Sequence, residues 1–424
     1  MRESINFKDK SFVVYGLGLT GRSVVNFLKE NKAYKICIWD DYLIKSNQKL
    51  KNQFKLNLNM VDYIVISPGI NLYRSKFKKL LLKNKKKIIT DLDLFFLKNN
   101  VKKSIMITGT NGKSTTCSLI HHILKKNKIK NKLAGNIGKP ILNVKFTENE
   151  IYIIEASSFQ LEYSKFIRPY CAAILNITQD HLDWHGSKKK YIKSKIKIFN
   201  NQTRSDIAFL NNKNLKKIYK INNFLGKLKF IKKNSINLRN TQNRHLQLDA
   251  NKENIEFAYS ITKLFDINKK KFFKSIKSFS GLAHRHEIFL KIRNCTFIND
   301  SKATSFESTK LALKSNNNII WIIGGQPKKN DKIDINQFQK KIIKAYVIGK
   351  HANFFVKQIN KKINFEVTKN LKATVNKIFK SLNNDEKITI LYSPASASYD
   401  QFRNFAERGE EFKKLVKYNA KRIN

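Results

Sequence analysis

Apolar residues come in short runs of four or five along most of this chain, each closed by a glycine, a serine or an acid and followed by a stretch of helical spacing. Ser11 to Tyr15, Lys35 to Trp39 and Tyr63 to Ser67 read as strands, with a helix over Ser23 to Glu30. The pattern restarts at Ile105 and continues through Ile151 to Ile154, Ala172 to Leu175 and Ile207 to Leu210. A third series holds Thr296 to Ile298, Ile319 to Ile323, Ala345 to Ile348 and Ile388 to Tyr392. Three α/β domains are the simplest parse. The expectation is an N-terminal Rossmann-like domain over 1–95, a central P-loop-type ATPase domain over 96–281 and a C-terminal Rossmann-like domain over 282–424. The pattern is weakest in the lysine- and asparagine-rich stretch 211–250, and no repeat of fixed period is present.

Composition changes this picture only at the edges. A chain of 424 residues suits about three domains. The net charge of +53 could mark a nucleic-acid or membrane partner, but the lysines are spread through the chain rather than gathered in a stripe. That favours compositional drift, no specific nucleic acid, and a basic surface that still attracts anionic substrates. Cys37, Cys117, Cys171 and Cys295 lie far apart and form no C-x-x-C pair, as expected of a reducing compartment. Residues 1–10 hold no apolar targeting core and no later run approaches the roughly 18 apolar residues of a span, so a cytoplasmic protein without membrane insertion is expected.

The chemistry sits at strand ends. Gly109-Thr110-Asn111-Gly112-Lys113-Ser114-Thr115 follows the strand that begins at Ile105. Its glycines let the backbone aim several N–H groups at one anion, Lys113 adds a point charge on terminal phosphates, and Ser114 or Thr115 can hold Mg2+. The first glycine is Gly109, so the loop is shorter than the usual Walker spacing, yet it predicts use of ATP. G-x-G-x-x-G at Gly16, Gly18 and Gly21 follows another strand, with Asp40 closing the next one. NAD or the pyrophosphate of a nucleotide-linked substrate would satisfy it. An NAD-dependent oxidoreductase would leave the phosphate loop, Glu155 and Lys302 unexplained. Ser67-Pro68-Gly69 adds a loop at the same sheet edge.

Glu155 ends a strand near the phosphate loop, a place for a Mg2+ ligand or a helix-capping acid. His181 and His185 have the spacing of a zinc pair, but Leu182 stands where a metalloprotease needs its glutamate, so a hard-metal role for His181 fits better. Tyr191 to Phe199, with Lys193, Lys195 and Lys197, reads as an ordinary basic helix on pattern alone. Further loops at strand ends are His284-Arg285, Asn299 to Thr304, Gly324 to Lys328 and Ser393 to Phe402.

Together T-G-T-N-G-K-S-T (108–115), E-A-S-S-F-Q-L-E (155–162), N-I-T-Q-D-H-L-D (176–183), H-R (284–285), N-D-S-K-A-T (299–304) and S-P-A-S-A-S-Y-D-Q-F (393–402) resemble the Mur ligases of peptidoglycan synthesis. The resemblance covers nearly the whole chain and is weakest over 200–250. It implies an ATP-dependent ligase that joins D-glutamate to UDP-N-acetylmuramoyl-L-alanine through an acyl phosphate, working as a monomer. A sibling ligase adding another amino acid is the nearest alternative. By resemblance, Gly18, Leu19, Thr20, Asp40 and Gly69 face uridine and pyrophosphate, and Asn136 the muramoyl side. Gly109, Thr110, Asn111, Gly112, Lys113, Ser114 and Thr115 hold the ATP phosphates, Asn251 and Asn254 the adenine side, and Arg285 and Asp300 the nucleotide. Ser114, Glu155, His181 and a carbamylated Lys195 serve two Mg2+ ions, and with Lys113 the last three are catalytic. Lys302, Thr304, Lys328, Ser398, Tyr399 and Phe405 form the D-glutamate pocket. Asp41 and Tyr42 depart from the arginine often found after the acid of the second strand, and Ala250 from the histidine usual before Asn251.

Overall fold

Ser11–Tyr15 (β1), Lys35–Trp39 (β2), Tyr63–Ile66 (β3) and Ile88–Ile89 (β4) form a parallel sheet in the order β2-β1-β3-β4. The computed structural model describes residues 5–43, 48–232, 236, 246, 249–328, 331–382 and 386–422. Much of the lysine-rich stretch after residue 232, and the side chain of Ala250, therefore lie outside the described residues.

The second sheet is also parallel. It contains Ser104–Thr108 (β5), Asn131–Gly135 (β6), Ile151–Glu155 (β7), Cys171–Ile174 (β8), Ile207–Leu210 (β9) and Lys227–Phe230 (β10), in the order β10-β9-β8-β5-β7-β6. β5, β7 and β8 are buried on both faces, which is why they read as unbroken apolar runs. Met106, Ile154 and Ala172 pack into one core; Ile105, Ile107 and Ile153 pack into the other against Leu119 and Ile123 of helix Lys113–Lys126.

Glu287–Ile292 (β11), Cys295–Asn299 (β12), Ile319–Gly324 (β13), Ile342–Ile348 (β14), Phe365–Val367 (β15) and Ile388–Tyr392 (β16) form the third sheet, in the order β11-β12-β16-β13-β14-β15. Only β11 runs antiparallel to its neighbour. The chain divides into two compact units, Met1–Phe279 with the first two sheets and Ser280–Asn424 with the third. Among the described residues no helix is long and apolar enough to cross a membrane.

Five strands fall outside the sequence expectation: β4, β6, β10, β11 and β15. Each is a sheet edge. β4 is two buried isoleucines, too short a run to read as a strand, and the other four are half-solvated, so they carry polar residues such as the alternating lysines of β10 and lack the apolar run that betrays a central strand. The first long helix spans Leu19–Glu30 rather than starting at Ser23, because extended Gly18 serves as its N-cap; Leu19 and Thr20 thus open the helix.

Candidate active site

β5 lies between β7 and β8, so the chain leaves its carboxyl end where a parallel sheet offers a crevice to a ligand. The turn from Gly109 to Gly112 fills that position. Gly112 has φ +82°, and a Cβ there would lie 2.0 Å from Asn254 Oδ1, so a side chain is excluded twice over. No side chain caps helix Lys113–Lys126, and its positive dipole end faces the loop. The loop is braced from the next strand. Thr110 N donates to Asn176 O (2.9 Å) and Asn111 N to Asn176 Oδ1 (2.9 Å). Asn176 Nδ2 in turn donates to Glu253 Oε2 (2.7 Å). Asn254 Nδ2 donates to Asn251 Oδ1 (3.0 Å), and Thr116 Oγ1 to Asn254 Oδ1 (3.2 Å), so both asparagines stand against the loop. Glu253 was not anticipated, although its place between two motif asparagines was the available signal.

Two lysines converge on one carbonyl. Lys113 Nζ donates to Gly109 O (3.0 Å) and Thr110 O (2.8 Å), while Lys195 Nζ donates to Gly109 O (2.8 Å) and Thr108 Oγ1 (3.3 Å). Helix Lys188–Ile196 turns Tyr191, Ser194 and Lys195 inward and leaves Lys193 exposed, so the surface reading of this helix fails for Lys195, which is 1% exposed. The spacing of those inward residues, followed by Ile198, is helical. Burial, reinforced by the charge of Lys113, pushes the Lys195 amine well below an ordinary lysine pKa, against Asp180 and Glu155.

Glu155 closes β7 and is buried. Its Oε1 accepts from Asn136 Nδ2 (2.8 Å), whereas its Oε2, equally buried, has no hydrogen-bond partner. Helix Ser158–Tyr163 is capped by Ser157 in a capping box with Gln160, so Glu155 is not a cap. Gln160 Nε2 reaches both oxygens of buried Asp91 (3.1 Å each), another link the sequence did not suggest. An orphaned carboxylate oxygen and the buried hydroxyls of Ser114 and Thr115 suit a hard cation. Among the described residues no three His, Cys, Asp or Glu side chains gather into a metal cluster. A Mg2+ site needs no such cluster, since the ion takes one or two protein carboxylates and completes its shell with substrate phosphates and water.

His181 and His185 differ in surroundings. His181, with φ +52°, precedes helix Leu182–His185; its Nε2 lies 3.5 Å from Asp180 Oδ2 and its ring meets Phe159 edge-on. His185 is buried, stacks on Phe159 and pairs through Nε2 with Ser158 Oγ (3.0 Å). Burial, then the charges of His181 and Lys195, push its pKa down to about 4, so the ring is neutral at neutral pH.

At the first sheet the G-x-G-x-x-G loop follows β1, which lies between β2 and β3. A Cβ on Gly21 would sit 1.7 Å from Gly16 O, so helix and loop touch backbone to backbone. Asp40 Oδ2 accepts from Leu17 N (2.7 Å), and Oδ1 from Tyr42 N (2.9 Å) and Leu43 N (3.1 Å). Asp40 thus braces the glycine loop, with Leu19 84% exposed beside it. Ser67 Oγ donates to Gly16 O (2.7 Å), drawing the Gly69 turn to the same edge. Asp41 is turned inward by Tyr15 Oη (2.6 Å) and Trp39 Nε1 (3.0 Å), whereas Tyr42 stays exposed.

In the C-terminal unit the loops after β12, β13 and β16 are tied together. Buried Asp300 accepts from His286 N (3.0 Å) and Ser393 Oγ (2.7 Å), and burial raises its pKa to about 6. Ser301 Oγ donates to Phe405 O (2.8 Å), Lys302 N to His284 O (2.9 Å), and Lys302 Nζ lies 5.4 Å from the Phe405 ring centroid. Ser396 Oγ donates to Gly324 O (2.9 Å), and Gln326 N to Ala397 O (2.8 Å). Ser398 is buried and Tyr399 exposed; Thr304 N donates to Lys302 O, and Lys328 N to Asp331 Oδ2 (2.8 Å). Arg285, next to His284, lies with Asp300 in the C-terminal unit.

Residues 107–277 match the family described as Mur ligase middle domain, and residues 10–89 match the one described as Mur ligase MurD-like, N-terminal domain. A Rickettsia prowazekii protein named UDP-N-acetylmuramoylalanine--D-glutamate ligase is 38% identical, covering 97% of this chain and 98% of that protein. A Wolbachia pipientis protein of the same name is 33% identical, with the same coverage. Among solved structures, MurF ligase from Thermotoga maritima in complex with ADP shares the fold over 100% of this chain and 99% of that one, with TM-score 0.61 and 12% identity. Thermotoga maritima UDP-N-acetylmuramate-alanine ligase MurC does so over 97% and 99%, with TM-score 0.59 and 16% identity. With such likeness running nearly end to end, this chain belongs to the Mur ligase family.

Proposed function

We propose that this chain is an ATP-dependent ligase that joins D-glutamate to the alanyl carboxylate of UDP-N-acetylmuramoyl-L-alanine in peptidoglycan precursor synthesis. The names of its near-full-length relatives support the acceptor and donor. The reaction class is carried by one observation: buried Glu155 keeps an unpartnered oxygen at the strand end beside the phosphate loop. We place the substrate-binding, ATP-binding and amino-acid-binding domains at 1–95, 96–281 and 282–424, in a cytoplasmic monomer.

A carboxylate is a poor acyl donor, and transfer of the terminal ATP phosphoryl group makes it an acyl phosphate. Lys113 leaves the carbonyls of Gly109 and Thr110 for the phosphates, with the loop amides and Asn251 and Asn254 supporting the nucleotide. Two Mg2+ ions, held by Ser114, Glu155, His181 and Lys195, would supply neutralisation of charge on the transferring group. Lys195 reaches that role as a carbamate. Its neutral amine attacks the carbon of CO2, a C–N bond forms, one proton leaves, and two hard oxygens replace one ammonium. Its burial beside Lys113 supports the neutral amine this needs. Gly18, Leu19, Thr20, Asp40 and Gly69 take the uridine diphosphate part and Asn136 the muramoyl part. Lys302 offers a cation to the acceptor, with Thr304, Lys328, Ser398, Tyr399 and Phe405 around it, and Arg285 and Asp300 serve the nucleotide. The amine of D-glutamate attacks the acyl carbon, phosphate leaves, and an amide remains.

Phosphate release from ATP, measured with UDP-N-acetylmuramoyl-L-alanine and each amino acid in turn, tests this. D-Glutamate should be required, with L-glutamate, L-alanine and meso-diaminopimelate poor acceptors. Equal turnover with a diamino acid would reassign the chain to a sibling activity.

A further inference from the structure

Arg408, in helix Phe405–Ala420, is 2% exposed and yet makes no ion pair among the described residues. Its guanidinium donates to neutral oxygens: Nε to Ser301 Oγ (3.0 Å), and Nη2 to Ser301 O (2.8 Å) and Ser396 O (3.0 Å). Its Nη1 is buried without any partner, as is Tyr392 Oη at the end of β16. A Cβ on Gly325, with φ +134°, would lie 3.1 Å from Nη1, so the glycine turn after β13 packs directly on the guanidinium. One side chain therefore touches all three loops at this sheet edge: the one after β12 that carries Lys302, the one after β13 that leads to Lys328, and the one after β16 that carries Ser398.

A buried guanidinium that makes no direct ion pair is costly, and a core needing only packing would use an apolar side chain. Planar, forked hydrogen bonding fixes three backbones in one register, which a lysine cannot reproduce. Asp400 and Asp300 act on this charge from a distance without pairing with it, and what they leave uncompensated acts through the low-dielectric interior on anions at the loops above it. Ser301 joins the two effects, since its hydroxyl accepts from Arg408 and donates to Phe405 O.

We propose that Arg408 is a positioning residue that sets the pocket for the anionic amino-acid acceptor, by holding the Ser301, Gly325 and Ser396 loops and adding a buried positive charge beneath them. The inference rests on the reading of this pocket as the acceptor site.

The test compares wild-type, Arg408→Lys, Arg408→Met and Ser301→Ala enzymes, measuring KM separately for amino acid, ATP and nucleotide substrate, with a thermal melt of each. Arg408→Met should raise the D-glutamate KM more than 10-fold while the other two KM values stay within about twofold; Arg408→Lys should recover part of the loss by keeping the charge. Ser301→Ala, which leaves the guanidinium in place and loosens its fork, should give a smaller shift of the same kind, and it serves if the Met variant does not fold. An unchanged amino-acid KM in the Lys and Ala variants, or a rise in all three KM values together, overturns the proposal. If the wild-type enzyme uses another amino acid instead of D-glutamate, the acceptor reading fails by itself, and the effect of Arg408 is then read on the KM of that amino acid.

Discussion

The phosphate-loop region and the C-terminal loop cluster are both assembled at the carboxyl edges of parallel strands, but they are held in different ways. Around β5 one contiguous run makes the loop, Asn176 and Asn254 brace it from distant parts of the chain, and two lysines, Lys113 and Lys195, rest on its Gly109 O. Those contacts can be exchanged for a ligand. At the third sheet the site is a set of separate loops bound by long-range side-chain bonds, Asp300 to Ser393, Ser301 to Phe405 and Ser396 to Gly324. The first region is poised to rearrange around phosphate, and the second is built to keep three loops in place.

The largest expected effect lies in the first region. If Lys195 contributes a carbamate, Lys195→Ala should lower turnover by about three orders of magnitude, in the range seen when a group acting on transition-state charge is removed. Acetate or another short carboxylate should restore part of the rate by filling the vacated ligand position. Lys193→Ala, on the exposed face of the same helix, should stay within about threefold of wild type. Near-normal turnover by Lys195→Ala at saturating substrates would return this lysine to a structural role.

Gly112→Ala sharpens the comparison from the backbone side. The substitution meets both a left-handed φ and a collision with Asn254, so it should cost about 1–3 kcal/mol in stability and weaken ATP binding measured by calorimetry. The C-terminal loop cluster, with its own cross-links, should be untouched: an amino-acid KM that rises in step with the ATP dissociation constant would show that the two regions are not independent.

The same contrast explains what could be read in the chain. The phosphate loop is contiguous, so its strand, glycines and Lys-Ser-Thr order sufficed to locate it, and the central strands announced themselves because burial on both faces demands apolar runs. Pattern alone did not single out Lys195, because a lysine on a helix is ordinarily solvated; the family resemblance marked it, and the inward spacing of Tyr191, Ser194 and Ile198 agrees with its burial. Glu253, Asp91 and Arg408 were illegible for another reason. Their partners Asn176, Gln160 and Ser301 are distant in sequence, and no local pattern encodes a pairing that exists only once the sheets have formed. The edge strands β6, β10, β11 and β15 escaped because half-exposed strands need no continuous apolar run, and β4 because two buried isoleucines are too short a run to read as a strand.

The smallest effect is a pH dependence that each region carries in one buried aspartate. Burial holds the pKa of Asp91 in the N-terminal unit and of Asp300 in the C-terminal unit up at about 6, against 3.8 for the ordinary side chain. A raised carboxyl pKa means the folded chain binds the proton more tightly than the unfolded chain, so the stabilising contribution is complete below the unfolded value and is lost as pH climbs through about 6. Asp300→Asn removes that loss. Its carbonyl can still accept from His286 N, and the Ser393 hydroxyl can turn to accept from the new amide, so the variant should gain about 1–2 kcal/mol at pH 7.5 and roughly half of that at pH 5. Asp91 is different, because both its oxygens accept from Gln160 Nε2 and an asparagine there must point one N–H2 at another. Asp91→Asn should therefore show the same pH trend with a smaller gain or a net loss. Thermal melts of both variants against wild type at pH 5 and 7.5 read this directly, at about 2–4 °C per kcal/mol. A shift of equal size at the two pH values would mean that neither carboxyl titrates between them.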